Sequence, residues 1–201
     1  MRRPRRKGAK RIGRSARDGT RVLRDRGPMA ALLVFESMYG STAAVAEAVA
    51  AGLADLRIPV TVCEVGVAGI PTLATRPSLL VVGAPTHQRG LPTSRTREAA
   101  RADVAVTVSR GDGVREWLDQ LVGQASGQAV AVFDTALPGR LAGSAAHAIG
   151  KRLTRAGAEL VMPPESFTVT GRTSGLLPDE LEEARSWGRS LALFAAAVGA
   201  R

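Results

Sequence analysis

From Ala30 onward, short apolar runs alternate with segments of helical periodicity, and that alternation restricts the chain to an α/β architecture. The first run, ALLVF (Ala31 to Phe35), is apolar throughout, as a strand covered on both faces must be. A turn containing Gly40 follows, and Val45, Val49, Leu53 and Leu56 then recur at the spacing of one helix face. PVTVCEV, LLVVGAP and QAVAVFDT read as the second, third and fourth strands. A helix is expected from Gly113 to Leu121, capped by Asp112. Another spans Ser144 to Ala156, with Gly157 where a left-handed residue ends helices. ELVMPPESFTV reads as a fifth strand interrupted by Pro163 and Pro164, which suits a sheet edge. Pro178, Asp179 and Glu180 open a last helix with a predicted buried stripe of Leu181, Ala184, Gly188, Leu191 and Ala195. Such a series implies a parallel sheet with right-handed crossovers. Two common strand orders fit it, and the pattern does not choose between them.

The charge is unevenly placed. The net +10 sits entirely in residues 1–28, which carry twelve Lys/Arg against Asp18 and Asp25. Residues 29–201 carry sixteen basic and sixteen acidic groups, so this part has no overall pull on polyanions. The arm has too few apolar residues to offset its ordering entropy and is expected to be disordered. Its readings stay open: an Arg-rich targeting segment, a nucleic-acid or anionic-surface contact, or sequence upstream of a true start at Met29. Nucleic acid enters as a partner only through this arm. Residues 29–201 are expected to form one domain. Cys63 is the sole cysteine, which excludes an intrachain disulfide and fits a reducing cytoplasm. No apolar run approaches the ~18 residues needed to span a bilayer.

The chemistry concentrates between the first strand and the first helix, at Ser37, Met38, Tyr39, Gly40, Ser41 and Thr42. Three hydroxyls, a flexible glycine and the N–H groups of a helix start make a cradle for a terminal phosphate. The loop has neither the lysine of a P-loop nor the glycine spacing of a dinucleotide-binding turn. The same residues also suit a plain helix cap, with Ser41 or Thr42 satisfying the first N–H groups.

The stretch LLVFESMYGSTAAVAEAVAAGL resembles the flavodoxin-like family, whose first loop runs Ser/Thr, any, Ser/Thr, Gly, any, Thr. Ser37, Gly40 and Thr42 match, and Tyr39 departs at the third position. LLVVGAPTH, AVAVFDT, LAGSAAHAIGKRL, ESFTVTG and GLLPDELEEARSWGRSLA extend the likeness across Ala30 to about Ala197. The resemblance implies a three-layer sandwich around a five-stranded parallel sheet of order 2-1-3-4-5, with helices on both faces. It further implies FMN at the carboxyl ends of the strands. The phosphate would sit in the Ser37–Thr42 turn. The ring would lie between a loop at Pro85, Thr86 and His87 and another at Asp134 and Thr135.

Departures from the family set further expectations. Neither ring loop contains Trp, Tyr or Phe, and His87 is the only π-surface in the first. Arg89 and Arg95 put positive charge where electron-transfer flavodoxins place acids, which would favour reduced flavin. The stretch from Gly90 to Gly111 is expected to cover the flavin or to meet a partner. His147, Cys63, Trp117 and Trp187 read as packing or surface residues, and no set of side chains forms a metal site or hydrolytic centre. The function implied is electron transfer or quinone-type reduction through bound FMN, with a redox protein or small-molecule acceptor as partner. The alternative is a binding or regulatory module on the same fold without FMN.

Overall fold

The computed structural model describes residues 29–68, 76–103, 107–121, 123–139 and 142–199, with side chains as far as Phe194. The basic arm and the readings attached to it lie outside the described residues. The strands are β1 (Ala31–Phe35), β2 (Val60–Glu64), β3 (Leu79–Pro85), β4 (Ala129–Ala136), β5 (Glu159–Leu160) and β6 (Glu165–Thr168). The helices are α1 (Ser41–Asp55), α2 (Ser94–Asp103), α3 (Val114–Gln120), α4 (Ala145–Arg155) and α5 (Glu180–Gly199). All strand pairs are parallel, in the order β2-β1-β3-β4-β5, and β6 also pairs with β4. The fifth strand is therefore two pieces along one edge of β4, with Pro163 and Pro164 in the break.

The continuous apolar runs arise from the two-residue period of the strands. Leu32, Val34, Leu80, Val82, Val130 and Val132 face a core completed by Val114, Trp117, Ile149 and Leu153 from α3 and α4. Ala31, Leu33, Phe35, Leu79, Val81 and Phe133 face the other, completed by Val45, Val49 and Leu53 of α1 and Ala184, Trp187 and Leu191 of α5. On this second face the rings of Phe133, Phe167 and Trp187 meet edge to face at 6.0–6.1 Å.

Helices α1 and α5 approach so closely that a methyl group at Gly188 would collide with the Val49 carbonyl, and one at Gly52 with the Arg185 carbonyl. Backbone cannot swing aside as a side chain does. Gly188→Val is therefore expected to cost about 1–3 kcal/mol, read as a lower urea midpoint with little change in slope. Beside this contact, Arg185 and then Arg189 hold the Asp55 carboxyl at about 2. Because that value is depressed, the pair's contribution is present above the ordinary aspartate range and fades as pH falls through it.

Several local expectations give way to the structure. Leu181 is 46% exposed, and the buried side of α5 is formed by Ala184, Trp187, Gly188, Leu191 and Ala192. The side chain of Ala195 lies beyond those described. Leu56 ends α1 as an exposed C-cap. The cap of α3 is Gly113, not Asp112, and the Glu116 carboxylate accepts its N–H at 3.0 Å. Helix α5 begins at Glu180, after Asp179 turns through φ +70. Cys63 is half-buried on β2, packed against the first core. Among the described residues no helix is long and apolar enough to cross a membrane.

Candidate functional site

Between β1 and α1 the chain turns through Glu36 to Gly40, and Gly40 has φ +98, a left-handed conformation that glycine adopts without steric cost. Ser37 is wholly buried, and its hydroxyl accepts the N–H groups of Gly40 at 3.2 Å and Ala43 at 3.3 Å. The Ala44 N–H donates to the Gly40 carbonyl at 2.9 Å. Helix α1 thus has no internal acceptor for the N–H groups of Ser41 and Thr42, its first two positions. Those donors and the positive end of a 15-residue helix favour an anion here.

The turn is held from two sides. The hydroxyls of Thr42 and Thr135 are 2.8 Å apart, joining the start of α1 to β4. The segment after α2 runs beside the turn: Ser109 N–H donates to the Ser37 carbonyl at 2.8 Å, and Val108 N–H to the Met38 carbonyl at 3.3 Å. Ser109 Oγ accepts the Ser37 N–H at 3.0 Å, so that backbone donor is used within the chain.

The two ring loops are built differently from one another. In the first, His87 and Gly90 exchange backbone hydrogen bonds of 2.9 and 3.1 Å. Gln88 and Arg89 make the turn between them at φ +46 and +75. Burial, then the charges of Arg172 and Arg97, lower the pKa of His87, which keeps its ring neutral at neutral pH. In the second, β4 continues to Ala136, so Asp134 and Thr135 belong to the strand. Asp134 Oδ2 accepts from Thr86 Oγ1 at 2.9 Å, Ser144 Oγ at 2.7 Å and Ala146 N–H at 2.9 Å. This wholly buried carboxylate caps α4, and Thr86 in turn accepts the Ala145 N–H at 2.7 Å.

Ser37, Met38, Tyr39, Ser41, Thr42, Pro85, Thr86, His87 and Thr135 border one cleft of about 400 Å³ at the carboxyl end of the sheet. Gly40 shapes the turn and Asp134 anchors α4, but neither lines the cleft. Arg89 and Arg95 are exposed and outside it, and the cation that lines it is Arg172.

Two further walls complete the cleft. One lies in the stretch from Gly90 to Gly111 expected to cover the flavin or meet a partner: it is the helix α2, whose Thr96, Ala99 and Ala100 line the cleft. One turn further along that stripe, Asp103 accepts the Tyr39 hydroxyl at 2.8 Å and pairs with Arg172. The other wall is the excursion after β6, where Val169 bridges Leu176 and presents Gly171 and Arg172. Exposed Leu137 adds an apolar surface.

Arg97 fixes α2 from its other side. It is 3% exposed, 2.9 Å from Glu116 and 3.7 Å from wholly buried Glu36, whose Oε2 also accepts the Val114 N–H at 2.9 Å. Burial, outweighing that hydrogen bond and Arg97, raises the Glu36 pKa above the ordinary glutamate range. Helix α2 is thus strapped to the end of β1 and the start of α3.

The flavodoxin family pattern matches residues 33–188, which include every strand but the first two residues of β1. The chain belongs to the flavodoxin family. Among solved structures it is similar to a flavodoxin from the domain Archaea, at 18% identity and a TM-score of 0.60, covering 84% of this chain and 99% of that one. It is likewise similar to the two-electron reduced flavodoxin of Megasphaera elsdenii, at 18% identity and TM-score 0.60, covering 81% and 98%. The flavodiiron protein of Giardia intestinalis matches at 18% identity and TM-score 0.61 over 85% of this chain, which spans 37% of that protein. At these identities the likeness shows the shared fold. A search of the curated proteins returned no match. As a flavodoxin, the chain has the expected strand order with the turn, both loops and α2 gathered at one end of the sheet.

Proposed function

We propose that this flavodoxin holds FMN in the cleft and passes electrons through it. The observation that carries this reading is the Ser37–Thr42 turn, which opens with unshared helix N–H donors onto a cleft of about 400 Å³. That volume lies in the range of small-molecule and cofactor sites. The donor set suits a phosphate monoester, with neutral hydroxyls, backbone N–H groups and a helix dipole.

In this reading Ser41, Thr42 and the first amides of α1 hold the phosphate. Ser37 and Gly40 shape the turn around it. Pro85, Thr86, His87 and Thr135 border the ring with Leu137. FMN supplies the redox chemistry, accepting electrons from one partner and releasing them to another. The chain's part is to bind, to orient and, through α2, to limit water. Neutral His87 and the Tyr39 ring are the aromatic surfaces along the cleft, and its other walls are aliphatic or hydroxylic apart from the Gln88 amide and the Arg172 guanidinium. Stacking energy is correspondingly small. The electron partner is a redox protein or a small-molecule acceptor of the quinone type, met in the cytoplasm.

One observation favours the second reading, a binding module without FMN. The Tyr39 phenol donates to Asp103 and so replaces a hydroxyl of the family's loop with a contact at the rim. Purification of the full chain separates the two. The flavoprotein reading expects a yellow protein releasing about one FMN per chain on denaturation, or an apoprotein that takes up added FMN to that ratio. Colourless protein that leaves added FMN fluorescent and unbound overturns it in favour of the binding module.

A further inference from the structure

Among the described residues lining the cleft, Arg172 is the one that carries a formal charge at neutral pH. Among the described residues no carboxylate lines it. The charge is not delivered alone, because the Arg172 guanidinium is paired with Asp103, the last residue of α2. Asp103 in turn accepts the Tyr39 hydroxyl from the phosphate turn. The two side chains come from separate walls, α2 and the excursion after β6, and meet at the rim. They are 65% and 38% exposed, so neither is needed to hold the core. The excursion itself is set by Thr170 N–H to the Gly175 carbonyl and Leu177 N–H to the Thr168 carbonyl, both 2.9 Å. Arg172 therefore stands on an ordered support, and its field reaches the cleft, where it contributes to keeping His87 neutral.

We propose that Arg172 and Asp103 act in opposition on the cleft's preference for reduced over oxidised FMN, Arg172 raising it and Asp103 lowering it, so that their pairing keeps that preference balanced. The proposal rests on the flavoprotein reading. Uptake of two electrons and one proton leaves the ring one unit more negative, so a nearby cation favours the reduced form and a nearby anion opposes it. While paired, the two charges largely cancel. Removing one exposes the other. Arg172 itself lines the cleft of about 400 Å³, so its charge acts on a group held there. A unit charge about 10 Å away in a partly solvated setting shifts such an equilibrium roughly two- to twentyfold.

The variants Arg172→Gln and Asp103→Asn keep polar side chains, and the asparagine still accepts from Tyr39. The full-length protein is titrated with oxidised FMN by fluorescence quenching, and the bound group is titrated potentiometrically to obtain the reduced-state affinity. For R172Q the ratio of oxidised to reduced dissociation constants is expected to fall roughly five- to tenfold relative to wild type. For D103N it is expected to rise by a similar factor, and the double variant to return to within about threefold of wild type. Both shifts shrink as salt rises, because the pair is exposed. Opposite signs are the deciding result, since a purely structural rim contact weakens both redox forms alike in either variant. Single variants that move the ratio in the same direction, or by less than about twofold, overturn the proposal while leaving FMN binding intact. Wild-type protein that binds no FMN overturns the flavoprotein reading, and the proposal falls with it.

Discussion

Replacing Arg97 by methionine is expected to cost about 3–5 kcal/mol of folding stability at neutral pH, the usual loss when one partner of a buried ionic group is removed. Methionine fills much of the volume of the arginine stem, so the loss is electrostatic rather than a cavity effect. In the wild type one guanidinium serves two carboxylates: Glu116 at 2.9 Å and, at 3.7 Å, Glu36, which has no exposed surface. Without it Glu36 keeps the hydrogen bond from the Val114 N–H but loses the cation beside its other oxygen. Its pKa is already raised by burial, and loss of the cation raises it further. A group with a raised folded pKa contributes stability below its unfolded pKa and loses it as pH rises through the folded value. The penalty of R97M is therefore expected to be smaller at about pH 5.5 than at about pH 7.5. Urea unfolding at both conditions measures it. Adding Glu36→Gln to R97M is expected to recover part of the loss, since the amide oxygen still accepts the Val114 N–H without a charge. A cost below about 1 kcal/mol, or one equal at the two pH values, refutes this account. The consequence for the site is direct, because the same contacts hold α2 against the cleft.

That helix marks where the sequence ceased to be informative. The sheet was legible because each central strand is apolar on both faces, and ALLVF or LLVVGAP suits few environments other than a doubly covered parallel sheet. Helix α4 was legible because Ser144 and Gly157 bracket an amphipathic run; Ser144 accepts the His147 N–H at 3.1 Å, and Gly157 lies at φ +88. Helix α2 carries no such stripe. Its buried positions are Arg97 and Ala100, so apolar periodicity has almost nothing to register. The available signal was chemical: Thr93 and Thr96 cap each other with 2.9 and 3.2 Å hydrogen bonds, and the good helix formers Glu98, Ala99 and Ala100 follow. For the same reason the charge of the cleft was misplaced. Arg89 and Arg95 are near the ring loop in sequence but are exposed and do not line the cleft, whereas Arg172, from the excursion after β6, does. In the phosphate turn the glycine and the helix-start N–H groups are legible in the sequence, but the Ser37 hydroxyl accepts from Gly40 and Ala43 and so shapes the turn rather than facing the cleft as a free donor.

Gly40→Val is accordingly expected to weaken FMN binding by at least tenfold, more than the loss of a single hydroxyl from the turn. The cause is conformational and not steric, since nothing lies within 4 Å of where a Cβ would stand. At φ +98 a β-branched residue is a true outlier, and left-handed backbone costs an ordinary residue about 1–2 kcal/mol. Valine relieves that strain by rotating the peptide between Tyr39 and Gly40. The rotation breaks the 3.2 Å bond from Gly40 N–H to Ser37 Oγ and moves the first N–H groups of α1, which the proposed function assigns to the phosphate. Gly40→Asn separates backbone shape from added bulk, because asparagine enters the left-handed region far more readily. It is expected to retain affinity within about threefold, whereas valine loses tenfold or more. Titration of both variants with FMN, beside thermal melts of the apoproteins, makes the comparison. Equal weakening by the two residues would show that added volume governs the turn. Wild-type affinity in the valine variant would mean that the left-handed dihedral has no part in binding the phosphate.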